Sequence, residues 1–295
     1  MKHLSRVLCA VDIDDASRLV FSHAMALARG ADAQLLILHA ASPQISFNHR
    51  ATERIDFLRH LRSRAEVAGI DVRVEVQRGD AAEIILLHAG ARGVDLIVLG
   101  TGHDQDGRDL GGSIAERVLR DAPCPTFVVP ASPVPETPLG ENILCAVDFS
   151  PASDAAVQEA VRLSAEGDGR ATLFHVVDKP GADESLQYPW LAMHEYHRGL
   201  AAVALDNLKD RIPPPSGRGV VLARVAVGKP VTQILRASRA MDARLLVIGA
   251  RPRSRIGRTL FGKTSRLLRE APCPVLAVPA VAGTQARTDD LRVAV

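Results

Sequence analysis

RVLCAVDIDDAS at residues 6–17 recurs as NILCAVDFSPAS at residues 142–153, an offset of 136 residues. Further along, APCPTFVVP at 122–130 recurs as APCPVLAVP at 271–279, now at an offset of 149. The chain is therefore a tandem duplication. Its second copy carries 13 extra residues, which fall between its second and third predicted strands.

The repeat divides the 295 residues into two units of ordinary domain size. A Pro-rich stretch, ASPVPETPLGE, separates them and is typical of a linker. The end of the chain lacks a periodic apolar pattern. We therefore expect a first domain over 1–130, a linker over 131–141, a second domain over 142–280 and a flexible tail over 281–295.

Each copy alternates aliphatic runs with amphipathic stretches. The runs of the first copy fall near 6–12, 34–39, 71–77, 95–100 and 125–130. Near-continuous aliphatic runs are typical of parallel strands that are covered on both faces. The pattern predicts an α/β fold with two repeated five-stranded parallel-sheet domains, doubly wound in a Rossmann-like or flavodoxin-like manner.

Composition excludes several classes of protein. A hydrophobic share of 47 % with 24 % charged residues is globular, and 3 % aromatic residues leave Ala, Val, Leu and Ile to build the core. No apolar run approaches the roughly 18 residues of a spanning helix, and a net charge of +2 does not suggest nucleic-acid binding. We expect no membrane or nucleic-acid partner.

The four cysteines show no metal-binding or redox spacing. Cys9 and Cys145 lie inside apolar runs, whereas Cys124 and Cys273 lie in the two APCP segments. We interpret them as reduced, mostly buried thiols. Acidic residues follow the N-terminus too closely for a signal peptide, so the expected location is cytoplasmic.

An aspartate ends the first strand of each copy. In doubly wound sheets ligands bind at the carboxyl ends of the strands, where the strand order reverses. Asp12 and Asp148 could therefore accept hydrogen bonds from a nucleoside. They could equally begin a turn and cap the next helix, and the duplication would copy a cap as readily as a site.

A glycine ends the fourth strand of each copy and begins a glycine-containing loop. The loops are GTGHDQDGRDLGGS at 100–113 and GARPRSRIGRTLFGKT at 249–264. Glycines let the backbone approach a phosphate, and the following helix offers N–H groups at its positive end. A loop of this composition can also be a simple turn.

Together these features resemble the universal stress protein family in its tandem form. The resemblance rests on the A-V-D strand end, the loop pattern G-x2-G-x9-G-[S/T] and the APCPV-like fifth strand, and it covers residues 5–280. It implies five strands per domain and pairing of the domains through their fifth strands, here 125–130 and 274–279. One branch of the family binds ATP at the glycine loop, and another binds no nucleotide.

Carried onto this sequence, the resemblance implies ATP, with or without Mg²⁺, as the ligand. The main-chain groups of Ala40 and Val176, at the ends of the second strands, would contact the adenine. The implied binding residues are, in the second copy, Asp148, Val176, Gly249, Gly262, Lys263 and Thr264, and in the first copy Asp12, Ala40, Gly100, Gly102, Gly112 and Ser113.

Both loops depart from the family pattern. His103 stands where the middle glycine belongs if the first loop is counted from Gly100, while Gly102, Gly112 and Ser113 keep the second spacing. In the second loop Pro252 replaces the middle glycine and removes a backbone donor. Lys263 then stands where Ser or Thr is usual.

Charge separates the two loops. Residues 101–111 carry three Asp and one Arg, a net −2, whereas residues 250–263 carry four Arg and one Lys, a net +5. A triphosphate is strongly anionic, and each nearby like charge costs on the order of 1 kcal/mol. The second copy is therefore the favoured ATP site, unless its basic loop is only a solvated surface.

Two alternatives stay open. One is a nucleotide-free interaction protein on the same scaffold. The other is a slow ATPase, because GRTLFGKT at 257–264 is a literal phosphate-loop motif, although it does not follow a strand directly. No catalytic residue and no metal ligand is assigned. The insertion at 186–200 could cover a site, contact a partner or simply pack, and two chains could also form a homodimer.

Overall fold

The computed structural model covers both copies of the repeat but not every loop. Of the predicted linker it describes Ala131, Val134, Gly140 and Glu141, and the predicted tail lies outside the described residues. Side chains are described except at residues 51, 190–194 and 258–263. The described residues are 4–41, 51–101, 114–131, 134, 140–178, 190–213, 218–250 and 258–280.

Strands and helices alternate through the described part of the first copy. They are β1 (Arg6–Ala10), α1 (Asp15–Gly30), β2 (Gln34–Ala41), α2 (Ala51–Val67), β3 (Val72–Arg78), α3 (Ala81–Ala91), β4 (Leu96–Gly100), α4 (Ile114–Asp121) and β5 (Thr126–Val129).

The second copy repeats this order. Its elements are β6 (Asn142–Val147), α5 (Pro151–Glu166), β7 (Arg170–Val177), α6 (Trp190–Lys209), β8 (Val220–Val227), α7 (Pro230–Ala240), β9 (Leu245–Ala250), α8 (Arg258–Glu270) and β10 (Val275–Pro279). None of the helices in the described ranges combines the length and the apolarity that crossing a bilayer requires.

The ten strands found in the described residues form one sheet in the order β3-β2-β1-β4-β5-β10-β9-β6-β7-β8. Neighbouring strands within each half are parallel. The order 3-2-1-4-5 in each half is that of the first five strands of the Rossmann arrangement. The predicted doubly wound α/β fold is thereby confirmed.

The two halves join through an antiparallel pair at the centre of the sheet. β5 pairs with β10, with Val128 opposite Val275 and Phe127 opposite Leu276. The pairing gives each of these strands a second neighbour and so removes two open edges. The predicted internal pseudo-dimer through the fifth strands is confirmed.

Apolar side chains fill both faces of this sheet. Successive strand residues alternate between two core clusters, so that Val7 and Cys9 belong to one and Leu8 to the other. Helices α1, α2, α5 and α6 cover the first cluster, and α3, α4, α7 and α8 cover the second. Each cluster contains residues from both halves. Because both faces of the sheet are buried, its strands consist mainly of aliphatic side chains.

All four cysteines are free and buried, as predicted. Burial raises the pKa of Cys124 and Cys273 to about 12, because a buried thiolate would lose its hydration. Burial raises the pKa of Cys9 and Cys145 as well. The thiols are therefore packing residues and stay protonated at neutral pH.

Candidate functional site

The strand order reverses at β1 and β4 in the first half, and at β6 and β9 in the second. These strands pair directly, with Cys9 opposite Val98 and Cys145 opposite Val247. At the carboxyl ends of each pair lie one aspartate and one glycine that were identified from the sequence as candidate binding residues. The structure thus brings Asp12 to the same edge as Gly100, and Asp148 to the same edge as Gly249.

Asp12 presents an exposed carboxylate at this edge. Its backbone N–H donates to Ser17 Oγ at 2.8 Å, and its Oδ1 accepts the N–H of Ile13 at 2.8 Å. The side chain is 73 % exposed and lies 4.0 Å from Nδ1 of His39. The N-cap of α1 is Asp14, which accepts the N–H of Ser17 at 2.8 Å. The capping interpretation is therefore wrong for Asp12.

Asp148 is also exposed, and its carboxylate is tied to the turn that follows it. Its Oδ1 accepts the N–H of Ser150 at 3.0 Å and the hydroxyl of the same serine. Ser150 is the N-cap of α5 and accepts the N–H of Ser153 at 3.2 Å. Asp148 therefore shapes a turn but does not cap the helix itself.

A histidine ties the second strand to the first at each site. Nδ1 of His39 lies 3.0 Å from the carbonyl oxygen of Val11, and Nδ1 of His175 lies 2.8 Å from that of Val147. Because a carbonyl only accepts, Nδ1 carries the proton in both. The two histidines hold the chain just before each aspartate.

The second site contains an aromatic residue whose contacts the sequence did not reveal. Phe149 follows Asp148 with a positive φ of 60°. Its ring centroid lies 4.4 Å from that of His175 and 4.8 Å from the guanidinium carbon of Arg211. Only the replacement of Ile13 by Phe149 between the copies could have signalled this contact.

Gly249 has a packing reason to be glycine. A Cβ built there would lie 2.5 Å from the carbonyl carbon of Ala152 and 2.6 Å from the nitrogen of Ser153. Such distances are far below van der Waals contact, so β9 can approach the first turn of α5 only without a side chain. This explains the glycine without a ligand.

The second-strand positions offer main-chain groups to the same edge. Ala40 pairs with Gln77 and is partly buried, and Val176 pairs with Ala226 and is buried. Both follow the tying histidines in sequence. Their side chains are short or apolar, so any polar contact with a ligand would use the backbone.

The predicted loop residues divide between described and undescribed parts. Gly102, Gly112 and Ser113 lie outside the described residues. Gly262, Lys263 and Thr264 lie in α8, which begins at Arg258. Residues 258–264 of the phosphate-loop motif are thus helical, whereas a phosphate loop needs a non-helical backbone around the phosphates. The backbone of residues 258–264 therefore does not have the open turn that a phosphate loop requires.

Comparison with known families gives two matches along the chain. The sequence model described as the universal stress protein family matches residues 3–130 and again residues 140–279. The two matched ranges each contain one copy of the repeat and one of the candidate sites.

Individual proteins agree with this. A universal stress protein of Mycolicibacterium smegmatis is 26 % identical over 215 residues, covering 72 % of this chain and 70 % of that protein. One from Methanocaldococcus jannaschii is 29 % identical over 137 residues, covering 42 % of this chain and 81 % of that protein. The crystal structure of a universal stress protein from Archaeoglobus fulgidus is similar in fold, with a TM-score of 0.70 and 18 % identity over 94 % of this chain and 97 % of that one.

Proposed function

The chain belongs to the universal stress protein family, which has a stress-response role, and on that basis we propose that it is a regulatory protein that binds ATP. The nucleotide lies at the strand-end crevice, with the second half as the preferred site. The protein acts as a nucleotide-dependent regulator and not as a dedicated catalyst.

The observation that carries the proposal is the exposed carboxylate at each reversal of strand order. Asp12 and Asp148 are exposed, and the adjoining helices are capped by Asp14 and Ser150 instead. An exposed carboxylate at this place suits the hydroxyl or amino donors of a nucleoside. The main-chain groups of Ala40 and Val176 are available to the base from the neighbouring strand.

The distribution of charge supports the proposal that the phosphates bind to the second half. The segment 250–263 has a net charge of +5, and the segment 101–111 has −2. Helix α8 begins at Arg258, and the N-terminus of a helix favours anions through its unpaired N–H groups. Gly249, Gly262, Lys263 and Thr264 belong to or border this basic segment, and their contact with phosphates is part of the proposal.

A nucleotide-free interaction protein is the second candidate. One observation favours it: the N–H and hydroxyl of Ser150 already bind Oδ1 of Asp148, so a ligand must share that carboxylate with its own turn. Pro252 also removes a donor from the basic loop. On this alternative both strand ends serve only to shape the turns.

Isothermal titration of the full-length protein with ATP distinguishes these functions. Losing a hydrogen bond to a charged group costs about 1.5–3 kcal/mol, so Asp148→Asn is expected to weaken ATP binding about 10- to 150-fold. Asp12→Asn is the matched control in the first half and is expected to change it less. Native mass spectrometry during incubation with ATP reports turnover in the same samples.

Each outcome of the titration has a consequence for the proposal. Absence of binding by the unaltered protein supports the nucleotide-free candidate. Loss of binding with Asp12→Asn alone would overturn the preference for the second half. Rapid conversion of ATP to ADP would show that the protein is an enzyme.

A further inference from the structure

We propose that Arg211 is a positioning residue for Asp148 and acts through Phe149. The inference rests on the proposed function, because Asp148 is taken to bind the nucleoside. According to this inference, the chain segment that follows α6 helps to set the affinity of the second site for the nucleotide. Arg211 itself does not touch the nucleotide in this proposal.

The turn after β6 has an unusual backbone. Phe149 adopts a φ of 60°, in the left-handed region that non-glycine residues rarely occupy. This conformation lets the N–H of Ser150 reach back to Oδ1 of Asp148 at 3.0 Å. A residue held in this region needs surrounding contacts that fix it.

Those contacts converge on the ring of Phe149. The imidazole of His175 lies 4.4 Å away between centroids, at an interplanar angle of 37°. The guanidinium carbon of Arg211 lies 4.8 Å from the ring centroid, within the range of a cation–π interaction. His175 is in turn fixed by the carbonyl of Val147, so one side of this assembly belongs to the sheet.

Arg211 is held in place from two other elements. Its Nε donates to Oδ1 of Asp154 at 2.8 Å, and one terminal nitrogen donates to the carbonyl of Asn207 at 3.0 Å. Asp154 lies in the first turn of α5, where its N–H donates to the carbonyl of Ser150 at 2.9 Å. Arg211 therefore contacts Phe149 directly and is linked to Ser150 through Asp154. Phe149 and Ser150 are the two residues that follow Asp148.

The described residues of the first half do not repeat this arrangement. Ile13 stands at the position of Phe149, is not among the residues with positive φ, and donates its N–H to Oδ1 of Asp12. A positive φ recurs between the halves elsewhere, at Asp32 and Asp168. The arrangement around Phe149 is therefore a specific difference between the two sites, and it accompanies the difference in loop charge.

The test compares adenosine with ATP in the full-length protein. In Arg211→Met, a misplaced Asp148 is expected to weaken both ligands by the same factor, about 5- to 10-fold. Arg211→Lys keeps a cation near the ring and is expected to recover part of the affinity. In an Asp148→Asn background, Arg211→Met is expected to have no further effect, because both changes act through one carboxylate.

A matched control is Arg18→Met, because Arg18 also pairs with an aspartate and lies 5.3 Å from a phenylalanine centroid, at Phe57 in the first half. It is expected to leave both affinities unchanged. The proton signals of the His175 ring give a readout without ligand. They lie within the ring-current field of Phe149 and are expected to shift in Arg211→Met.

The opposing outcomes can be told apart. A loss that grows from adenosine to ATP would mean that Arg211 acts on the phosphates through its charge and not through Asp148, and would overturn the inference. Unchanged affinities, or unchanged His175 signals, would overturn it as well. If the unaltered protein binds neither ligand, the proposed function fails first and the inference fails with it.

Discussion

Gly249 shows how one residue can be required by packing at the edge where a ligand would bind. Its Cα approaches the backbone of α5 so closely that a Cβ would lie 2.5–2.7 Å from atoms of Ala152 and Ser153. Gly249→Ala is expected to lower the free energy of unfolding by about 1–3 kcal/mol, since neither backbone can give way cheaply. Urea denaturation followed by circular dichroism measures this change.

Gly199 is the control for that substitution. It lies in α6 with nothing within 4 Å of a built Cβ. Gly199→Ala is therefore expected to raise the free energy of unfolding by about 0.5–1 kcal/mol through helix propensity. Equal effects of the two substitutions would refute the packing account of Gly249.

The residues at the strand ends show what sequence could predict and what it could not. The repeated aspartates could be located from the sequence because each directly follows a duplicated aliphatic segment. The contact between Phe149 and Arg211 could not be predicted, because it joins the end of β6 to a residue that follows α6, two helices farther along the chain. The ion pair that fixes Arg211 spans 57 positions of sequence, to Asp154. Such pairs depend on how helices are placed and not on any local pattern.

At the scale of elements, an ion pair ties α3 to α4 in the first half. Asp80 caps α3 by accepting the N–H of Glu83 at 3.0 Å, and it accepts both terminal nitrogens of Arg117 at 2.7 and 2.8 Å. The hydrogen bond from Arg117 is the main cause that lowers the pKa of Asp80. The pair thus stabilises the folded state through the ionised carboxylate.

Asp80→Asn keeps a capping oxygen but removes the charge. The side chain of Asp80 is 40 % exposed, so solvent screening limits the expected loss to about 0.5–1 kcal/mol at pH 7. Because the folded pKa is lowered, this contribution is present above the unfolded value of about 3.9. It disappears as the pH falls through the folded pKa.

Urea denaturation of the native protein and of Asp80→Asn at a series of pH values tests this. The difference between them should be constant near neutral pH and vanish in acid. Lys229 occupies the matching position in the second half and makes no side-chain cap, so Lys229→Ala is the control and should show no such pH dependence. A difference that persists in acid would mean that the charge is not its cause.

The strands could be predicted from the sequence because a strand that is buried on both faces is a nearly continuous run of aliphatic residues. The residue at which α8 begins was harder to predict. Sequence spacing put Gly262 at a turn before the helix, whereas the helix begins at Arg258 and includes it. A glycine within a helix costs only about 1 kcal/mol, and the buried Leu267 and Leu268 farther along offset that cost by packing.

At the scale of the molecule, the near-neutral net charge of +2 conceals two unlike halves. They share one sheet and two core clusters, yet differ in loop charge and in the turn after the first strand. Duplication explains the shared scaffold. It leaves each strand-end site free to change, because the residues that build the sheet are separate from those at its carboxyl edges.

The continuous sheet also predicts that the two halves unfold together. Leu61 is fully buried in α2, within the core cluster that both halves share. Leu61→Ala is expected to lower the free energy of unfolding by about 2–4 kcal/mol through loss of buried surface and the cavity left behind. Loss of the first half would uncover the edge of β10 and the side chain of Leu276, so the second half should unfold at the same denaturant concentration.

Trp190 makes this measurable, because it is the single tryptophan of the chain and belongs to the second half. Its fluorescence transition should move to lower urea in Leu61→Ala and coincide with the transition seen by circular dichroism. Val67→Ala, at an 87 % exposed position of the same helix, should move neither by more than about 0.5 kcal/mol. A fluorescence transition that stays in place while circular dichroism splits into two steps would show that the β5–β10 pair joins the halves without coupling their stability.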